Sequence, residues 1–422
     1  MIGTNVPRRR VVATGMGAVT PLGNDVESLW RGCLDGRSGV REITAIDASA
    51  LPCRIAGQAW DFEPRDWFSE KESRRYPRFA HMAIVAAEQA TRAAGLCPKQ
   101  WDDTRRSRVG VVLGNGSGGA PLILREQVLI MEEKGWAYCD PFSLLKTLSD
   151  MATAVISSRL GATGYISTIA ASCASGASAI GHAADVIRAG RADVIITGGT
   201  EAWLSDLGMA SFALLRALSQ RNDEPERASR PFDQDRDGFV PAEGAAMLVL
   251  ESEKHALGRG APIVGEVKGF AITSDAHHLV APRADGSSAA RAITLAMEDA
   301  GVAPGEIDYI NAHGTSTSLN DVAEVKAIKR ALGDDTDHIP VSATKSLIGH
   351  SLGASAAIEA VVSLKSIQEG VMHATANLEN PDPKCEMHHI RCAPLQAPLN
   401  NALSLNFAFG GQNACLVLGK YE

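Results

Sequence analysis

The sequence predicts an α/β protein with layered sheets. Short runs rich in β-branched residues recur along the chain, and several are apolar without alternation, the pattern of strands buried on both faces. Segments of helical period separate them. Glycine is abundant, 40 of 422 residues, and clusters after apolar runs, where strands turn tightly into helices.

In chain order, "RVVATGM" (10–16) is the first strand, and "AHMAIVAAEQATRAAG" (80–95) is a helix stopped by glycine. "RVGVVLGNG" (108–116) and "ADVIITGG" (192–199) are strands ending in glycine turns. Between them, "ISTIAASCASGASAIGHAADVI" (166–187) passes from β-branched residues through small ones into a helix. "AAMLVLES" (245–252) and "PIVGEVKGFAI" (262–272) are strands on either side of "ESEKHALGRGAP" (251–262), the least motif-like stretch of the chain. Helices ending in glycine follow at 287–301, 321–333 and 354–370, and strands at "IDYINAHG" (307–314), "NALSLNFAF" (401–409) and "NACLVLG" (413–419). A chain of 422 residues exceeds one ordinary core. We divide it into halves 1–260 and 261–422, the second repeating the first as strand, glycine-rich turn, helix, strand, although direct identity between them is weak. The polar stretch "RNDEPERASRPFDQDRDGF" (221–239) is long for a loop inside a compact domain, and such loops often carry function.

Charged residues at 21% and hydrophobic ones at 45% describe a soluble globular chain. No window reaches the roughly 18 apolar residues of a membrane helix, and the N-terminus lacks a signal-peptide core, so a cytoplasmic location is expected. The net charge of −8 gives no reason to expect nucleic-acid binding. The eight cysteines are scattered without a C-x-x-C pair, which argues against a disulfide framework or zinc site. The pairs His277–His278 and His388–His389 lack helical metal-ligand spacing, and no metal site is read.

"GNGSGG" (114–119) fits G-x-G-x-x-G after a strand, a weak dinucleotide signal on its own. It lacks the second strand ending in an acidic residue some 20 positions on, so close backbone packing is the better reading. A lone cysteine is more often a small buried hydrophobe. Cys173 sits among small residues at the start of a helical segment, where free amides and the helix dipole favour thiolate. His313 in "INAHGTSTSLND", and Lys345 and His350 in "VSATKSLIGHSLGASAA", follow apolar strands in small-residue turns. One cysteine and two histidines in matching turns form a constellation at strand ends, where sites of layered α/β sheets gather.

At these motifs the sequence resembles the β-ketoacyl-acyl-carrier-protein synthases, in particular the type II elongating enzymes. The shared stretches include "VVATGMGAVTPLG", "ASCASGASAIGHAADVIRAGRADVIITGGTEA", "SRPFDQDRDGFVPAEGAAMLVLE", "NAHGTSTSLND", "TKSLIGHSLGASAAIEA" and "NFAFGGQNA". The resemblance implies the thiolase fold, a five-layer αβαβα sandwich of two similar halves, usually dimeric. It implies decarboxylative condensation of an acyl-cysteine enzyme with malonyl-carrier-protein, with no cofactor beyond the carrier's phosphopantetheine. By the same resemblance Cys173 is the nucleophile, His313 and His350 act on malonyl-carrier-protein, and Lys345 supports the His350 region. Phe409 is the gate, its N–H and that of Cys173 forming an oxyanion hole. Thr315 and Thr317 lie near the pantetheine arm, and Glu324 is a buried structural carboxylate. Lys71, Arg74, Arg75 and Arg216 form the basic patch that docks the acidic carrier protein.

The chain departs from the family pattern in its acyl pocket. Ser117 stands where a branched aliphatic is usual, Ser143 where an aromatic reaches in from the dimer partner, and Trp203 where a small residue is usual. Val280 replaces a threonine on the second mobile loop, and Ala408 replaces the glycine before the gate, a change expected to restrict the loop. Phe212 is counted with this pocket. These departures favour a specialised polyketide or polyene system over housekeeping fatty-acid elongation, as a homodimer or as a heterodimer with a chain-length-factor-like homologue. A non-catalytic chain-length factor would usually lack Cys173, and a thiolase would use a second cysteine near the chain's end.

Overall fold

The computed structural model describes residues 9–422; residues 1–8, part of the stretch searched for a signal peptide, lie outside it. Ten strands form the main sheet: β1 (Val11–Val19), β2 (Val109–Gly114), β3 (Ile166–Ile169), β4 (Val194–Glu201), β5 (Gly244–Ser252), β6 (Gly265–Ser274), β7 (Tyr309–Asn311), β8 (Val341–Ser342), β9 (Asn401–Ala408) and β10 (Gln412–Gly419). The helices that matter here are α1 (Glu70–Arg75), α2 (Arg78–Ala93), α3 (Ala120–Lys134), α4 (Ser143–Thr147), α5 (Met151–Leu160), α6 (Ser175–Arg188), α7 (Asp206–Leu214), α8 (Ser287–Ala300), α9 (Asn320–Leu332), α10 (Lys345–Ile348) and α11 (Ser355–Glu369).

The strand order is β8-β7-β9-β10-β6-β1-β5-β4-β2-β3. It divides into two five-stranded halves, β1-β5-β4-β2-β3 and β6-β10-β9-β7-β8. In both, strands taken in chain order occupy the order 1-5-4-2-3. In both, the 1-5 and 5-4 pairings are antiparallel and the 4-2 and 2-3 pairings parallel. The halves meet through two residue pairs, Val12 with Glu266 and Ala13 with Gly265. This is the thiolase architecture: α2 covers one outer face, α8 and α9 the other, and α6 and α11 pack on each other between the sheets.

The unalternating apolar runs follow from this layering. Val112, Ile195, Leu248 and Leu250 face the central helices, while Val111, Leu113, Ile196, Met247 and Val249 face α2. In the other half Leu416 and Leu418 face inward, and Leu403, Leu405, Cys415 and Val417 pack under α8 and α9. Each buried aliphatic contributes roughly 1.5–3 kcal/mol. The central helices approach closely: a Cβ on Gly176 of α6 would lie 2.8 Å from the Ala357 nitrogen of α11. A larger side chain there would push apart the two helix N-termini that carry the site.

The stretch 221–239 is not a surface appendage. Arg230 and Asp233 form a buried ion pair, the Phe232 amide donates to Asp321, and the Gly238 amide donates to the Ser316 carbonyl. It clamps the turn that carries His313. One face of the chain is left apolar: α3 and α4 have no buried residue. Leu129 is 45% exposed, Met131, Trp136 and Ile166 are half or more exposed, and β3 ends the sheet. Among the described residues no helix is long and apolar enough to cross a membrane.

Candidate active site

Cys173 lies in a 3₁₀ turn, Ser172–Ala174, between β3 and α6; Leu352–Ala354 is the matching turn between β8 and α11. Both turns open with a non-glycine residue at positive φ, Ser172 at 48° and Leu352 at 43°. Such strain persists only where its surroundings hold it. At Ser172 the holding group is Ser175, whose hydroxyl accepts from the Ala171 amide at 2.8 Å and donates to the Ser172 carbonyl at 2.7 Å. The two turns face each other across the pseudo-repeat and bring His350 Nε2 to 3.1 Å from Cys173 Sγ.

His313, at the end of β7, completes the centre. Its ring stands 5.4 Å from that of His350 at 88°. All three side chains are buried. Glu324 on α9 fixes the His313 backbone by accepting from the His313 and Gly314 amides at 2.6 and 2.8 Å. Burial pushes its carboxyl up to about 8, against the pull of those amides.

Lys345 corrects one expectation: it supports His313, not His350. Its Nζ donates to the His313 carbonyl at 2.7 Å, lies 3.2 Å from His313 Nδ1, and pairs with buried Glu359. Asn406 also donates to Glu359, at 2.6 Å. An ammonium can only donate, so His313 Nδ1 must accept and its proton sits on Nε2. His350 instead turns Nδ1 toward Ser355 Oγ at 2.9 Å.

The thiol also differs from expectation. Burial pushes Cys173 up to about 12, although the Lys345 charge and the backbone amides of Phe409 and Cys173 pull downward. Burial, followed by the Lys345 charge, holds both imidazoles well below the ordinary histidine value. The resting pair is neutral thiol beside neutral imidazole, because desolvation outweighs the helix-end effect on which the thiolate expectation relied.

A cavity of about 140 Å³ leads to this centre. Cys173, His313, His350 and Phe409 line it together with Arg216, Thr315, Thr317, Val280 and Ala408. Thr315 and Thr317 share a 2.9 Å hydrogen bond. The loop carrying Val280 is tied to the Phe409 turn: the Gly410 amide donates to the Leu279 carbonyl and the Asp275 amide to the Gly411 carbonyl. The left-handed positions of that turn are Gly410 and Gly411, at φ 85° and 75°. Ala408 pairs with Gln412 in the β9–β10 ladder, so the absent glycine imposes no turn strain.

Phe212 of α7 stacks on Phe409 at 5.8 Å, and Trp203 lies edge-on to Phe212 at 5.0 Å. Trp203 and Cys173 belong to one apolar cluster. The Trp203 indole nitrogen is buried with no hydrogen-bond partner among the described residues. Ser117 is turned away from the cavity: its hydroxyl donates to Glu201 at 2.5 Å. Glu201 also accepts from the Gly116, Ser117 and Gly353 amides. Two amides of "GNGSGG", those of Gly116 and Ser117, are taken by this carboxylate, and that of Gly118 by the Asn115 side chain. Ser143 lies on α4, half-buried and outside the cavity lining. Lys71, Arg74 and Arg75 are exposed on α1 and line a separate groove, where Arg75 sits over the Phe142 ring at 4.9 Å. Arg216 alone of the docking set opens onto the active-site cavity.

Sequence reasoning missed Glu201, Ser355 and Glu359. Glu359 had a visible signal, a lone carboxylate in the apolar helix "ASAAIEAVVSL"; the others carry none.

Family models for the β-ketoacyl synthase N-terminal and C-terminal domains match residues 8–256 and 264–379. The chain belongs to the β-ketoacyl synthase family. This synthase is 44% identical to 3-oxoacyl-[acyl-carrier-protein] synthase 2 of Synechocystis sp., covering 99% of this chain and all of the relative. It is 42% identical to the enzyme of that name from Staphylococcus aureus, covering 98% and 99%. Among solved structures it resembles the ishigamide ketosynthase/chain length factor, with TM-score 0.91, 34% identity and coverage of 98% and 100%. It also resembles a type II PKS ketosynthase in complex with its acyl-carrier protein and bound to the hexaketide, with TM-score 0.89, 34% identity and the same coverage. The synthase is therefore a condensing acyltransferase that makes β-ketoacyl-carrier-protein.

Proposed function

We propose that this synthase is the ketosynthase of a specialised type II polyketide or polyene system. The observation that carries the reading is Trp203, a buried indole in the cluster behind Cys173, whose N–H has no partner among the described residues. Buried donors are seldom left unpaired. A flat face suits a stiff conjugated chain, which loses less rotamer freedom on binding than a saturated one, and the free N–H suits an oxygenated one. The likeness to ketosynthases of ishigamide and hexaketide systems supports it. Ordinary fatty-acid elongation is the second reading, favoured by the 44% identity to a 3-oxoacyl synthase 2.

In the first half-reaction the Cys173 thiol gives its proton to His350 Nε2, and the sulfur attacks the acyl thioester. The S–C bond to the enzyme forms, the bond to pantetheine breaks, and the departing sulfur takes the proton. In the second, malonyl-carrier-protein loses carbon dioxide. The electron pair of the broken C–C bond becomes an enolate, held by the Nε2–H groups of His313 and His350. The enolate carbon attacks the acyl-cysteine, whose oxyanion is held by the amides of Cys173 and Phe409; the C–S bond breaks, and the cysteine sulfur leaves and takes up one proton from solvent. No cofactor is needed beyond the carrier's phosphopantetheine, whose arm runs past Thr315 and Thr317.

The carrier protein docks on Arg216 and the α1 cluster, and the apolar α3–α4 face with the β3 edge receives a second thiolase-fold chain, a copy or a chain-length-factor-like homologue. Competition between saturated and conjugated acyl-carrier-proteins of equal length tests the pathway. The specialised reading expects higher kcat/KM for the conjugated chain, with the preference narrowed in Trp203→Ala while Cys173 still loads. Equal values in both proteins return the enzyme to fatty-acid elongation.

A further inference from the structure

We propose that Ser355 is a positioning residue that lets His350 alternate between its two neutral tautomers, so that one imidazole serves both half-reactions. The inference rests on the roles given above to Cys173 and His350. Those roles make opposite demands on Nε2. It must be a bare acceptor when it takes the thiol proton, and an N–H donor when it holds the enolate. His313 has only the second task, and Lys345 fixes its Nδ1 as an acceptor.

Ser355 fixes nothing. A hydroxyl has one proton and two lone pairs. One lone pair of Ser355 Oγ accepts the Ser351 amide at 3.0 Å, which ties the entry of the Leu352–Ala354 turn to the first residue of α11. The other lone pair and the proton face two groups, His350 Nδ1 at 2.9 Å and Ser351 Oγ at 3.2 Å. With the ring proton on Nδ1, the ring donates to Ser355 Oγ, which donates to Ser351 Oγ. With the proton on Nε2, Ser355 Oγ donates to Nδ1 and accepts from Ser351 Oγ. Every polar atom is paired in both states, so rotation of two buried hydroxyls replaces the loss of a hydrogen bond. The exchange is neutral in charge, one proton reaching Nε2 from solvent water as one leaves Nδ1 for it. The equivalent residue of the other half shows what bracing the turn alone requires: the Ser175 proton is committed to the Ser172 carbonyl.

The test uses the full-length enzyme and Ser355→Ala and Ser355→Thr variants. Acyl transfer to Cys173 is followed by intact mass in single turnover, and malonyl-carrier-protein decarboxylation in a Cys173→Ala background. Ser355→Ala should slow both partial reactions about tenfold, and Ser355→Thr, which keeps the hydroxyl, should restore both to within about threefold. The pH profile of Cys173 alkylation should move upward in Ser355→Ala only, because the imidazolium that balances the thiolate loses its Nδ1–H acceptor. Loss of one partial reaction alone would show a fixed tautomer and overturn the proposal. A lower Tm with unchanged rates and alkylation profile would reduce Ser355 to a brace of the turn and overturn the proposal. Failure of the wild type to load Cys173 would instead overturn the assigned mechanism.

Discussion

His313 and His350 stand almost at right angles, and what their far nitrogens meet separates their chemistry. Lys345 and Glu359 hold one, a hydroxyl pair the other. Cys173→Ala should abolish condensation while carbon dioxide release from malonyl-carrier-protein persists, because the enolate site needs only the histidines. His313→Ala or His350→Ala should depress both. Chain elongation by the Cys173→Ala protein would refute the nucleophile assignment. Lys345→Ala should cost more than catalysis: it strands the Glu359 carboxylate in the core, a loss of ~3–5 kcal/mol. A denaturant titration showing near wild-type stability would contradict that ion pair. Cys173, His313 and His350 were legible because each follows an apolar strand in a turn of small residues. Ser355, Glu201 and the Lys345–His313 contact were not, because they depend on which distant turns face each other.

The elements separate the proposed docking residues in a way spacing could not reveal. Arg216 follows α7 at the cavity mouth, whereas Lys71, Arg74 and Arg75 line their own groove on α1. Steering between opposite charges weakens with salt. Arg75→Glu combined with Arg216→Glu should raise KM for carrier-bound substrate and flatten its salt dependence; an unchanged KM at low salt would remove both from the docking site. The α3–α4 face and the β3 edge were also unreadable from sequence, since an apolar helix on an interface has the pattern of a core helix. An unpaired strand edge beside exposed leucines marks an association surface. If the second chain proposed for this face is a copy, Leu129→Glu should shift the sedimenting species from dimer toward monomer, and a dimer left unaltered would place the interface elsewhere.

At the scale of the whole molecule, the repeat suspected from weak pattern similarity is a repeat of topology. The two halves share a strand order and a 3₁₀ turn, one turn carrying Cys173 and the other following His350 by two residues, although their sequences have diverged. Layering explains why strands read clearly and the site only partly: burial on both faces writes itself into composition, whereas contacts across the central helices do not. The same burial sets the response to acid. His81 and His373 are buried, and desolvation lowers both to about 4. His313 and His350 are held well below the ordinary value for the same reason. All four are neutral in the folded chain, whereas in the unfolded chain they take up protons as pH falls through about 6.5. Below that pH the unfolded state binds more protons, so stability falls as pH falls, by about 1.4 kcal/mol per pH unit for each histidine until its folded-state value is reached. Stability should hold between pH 8 and 7 with respect to these groups and decline steeply from pH 6.5 toward 4. Replacing His373 with Asn, which keeps hydrogen-bonding atoms but cannot take a proton in this range, should make the decline shallower by one proton. Unfolding curves of equal slope against pH in the two proteins would show that His373 is not held neutral by the fold.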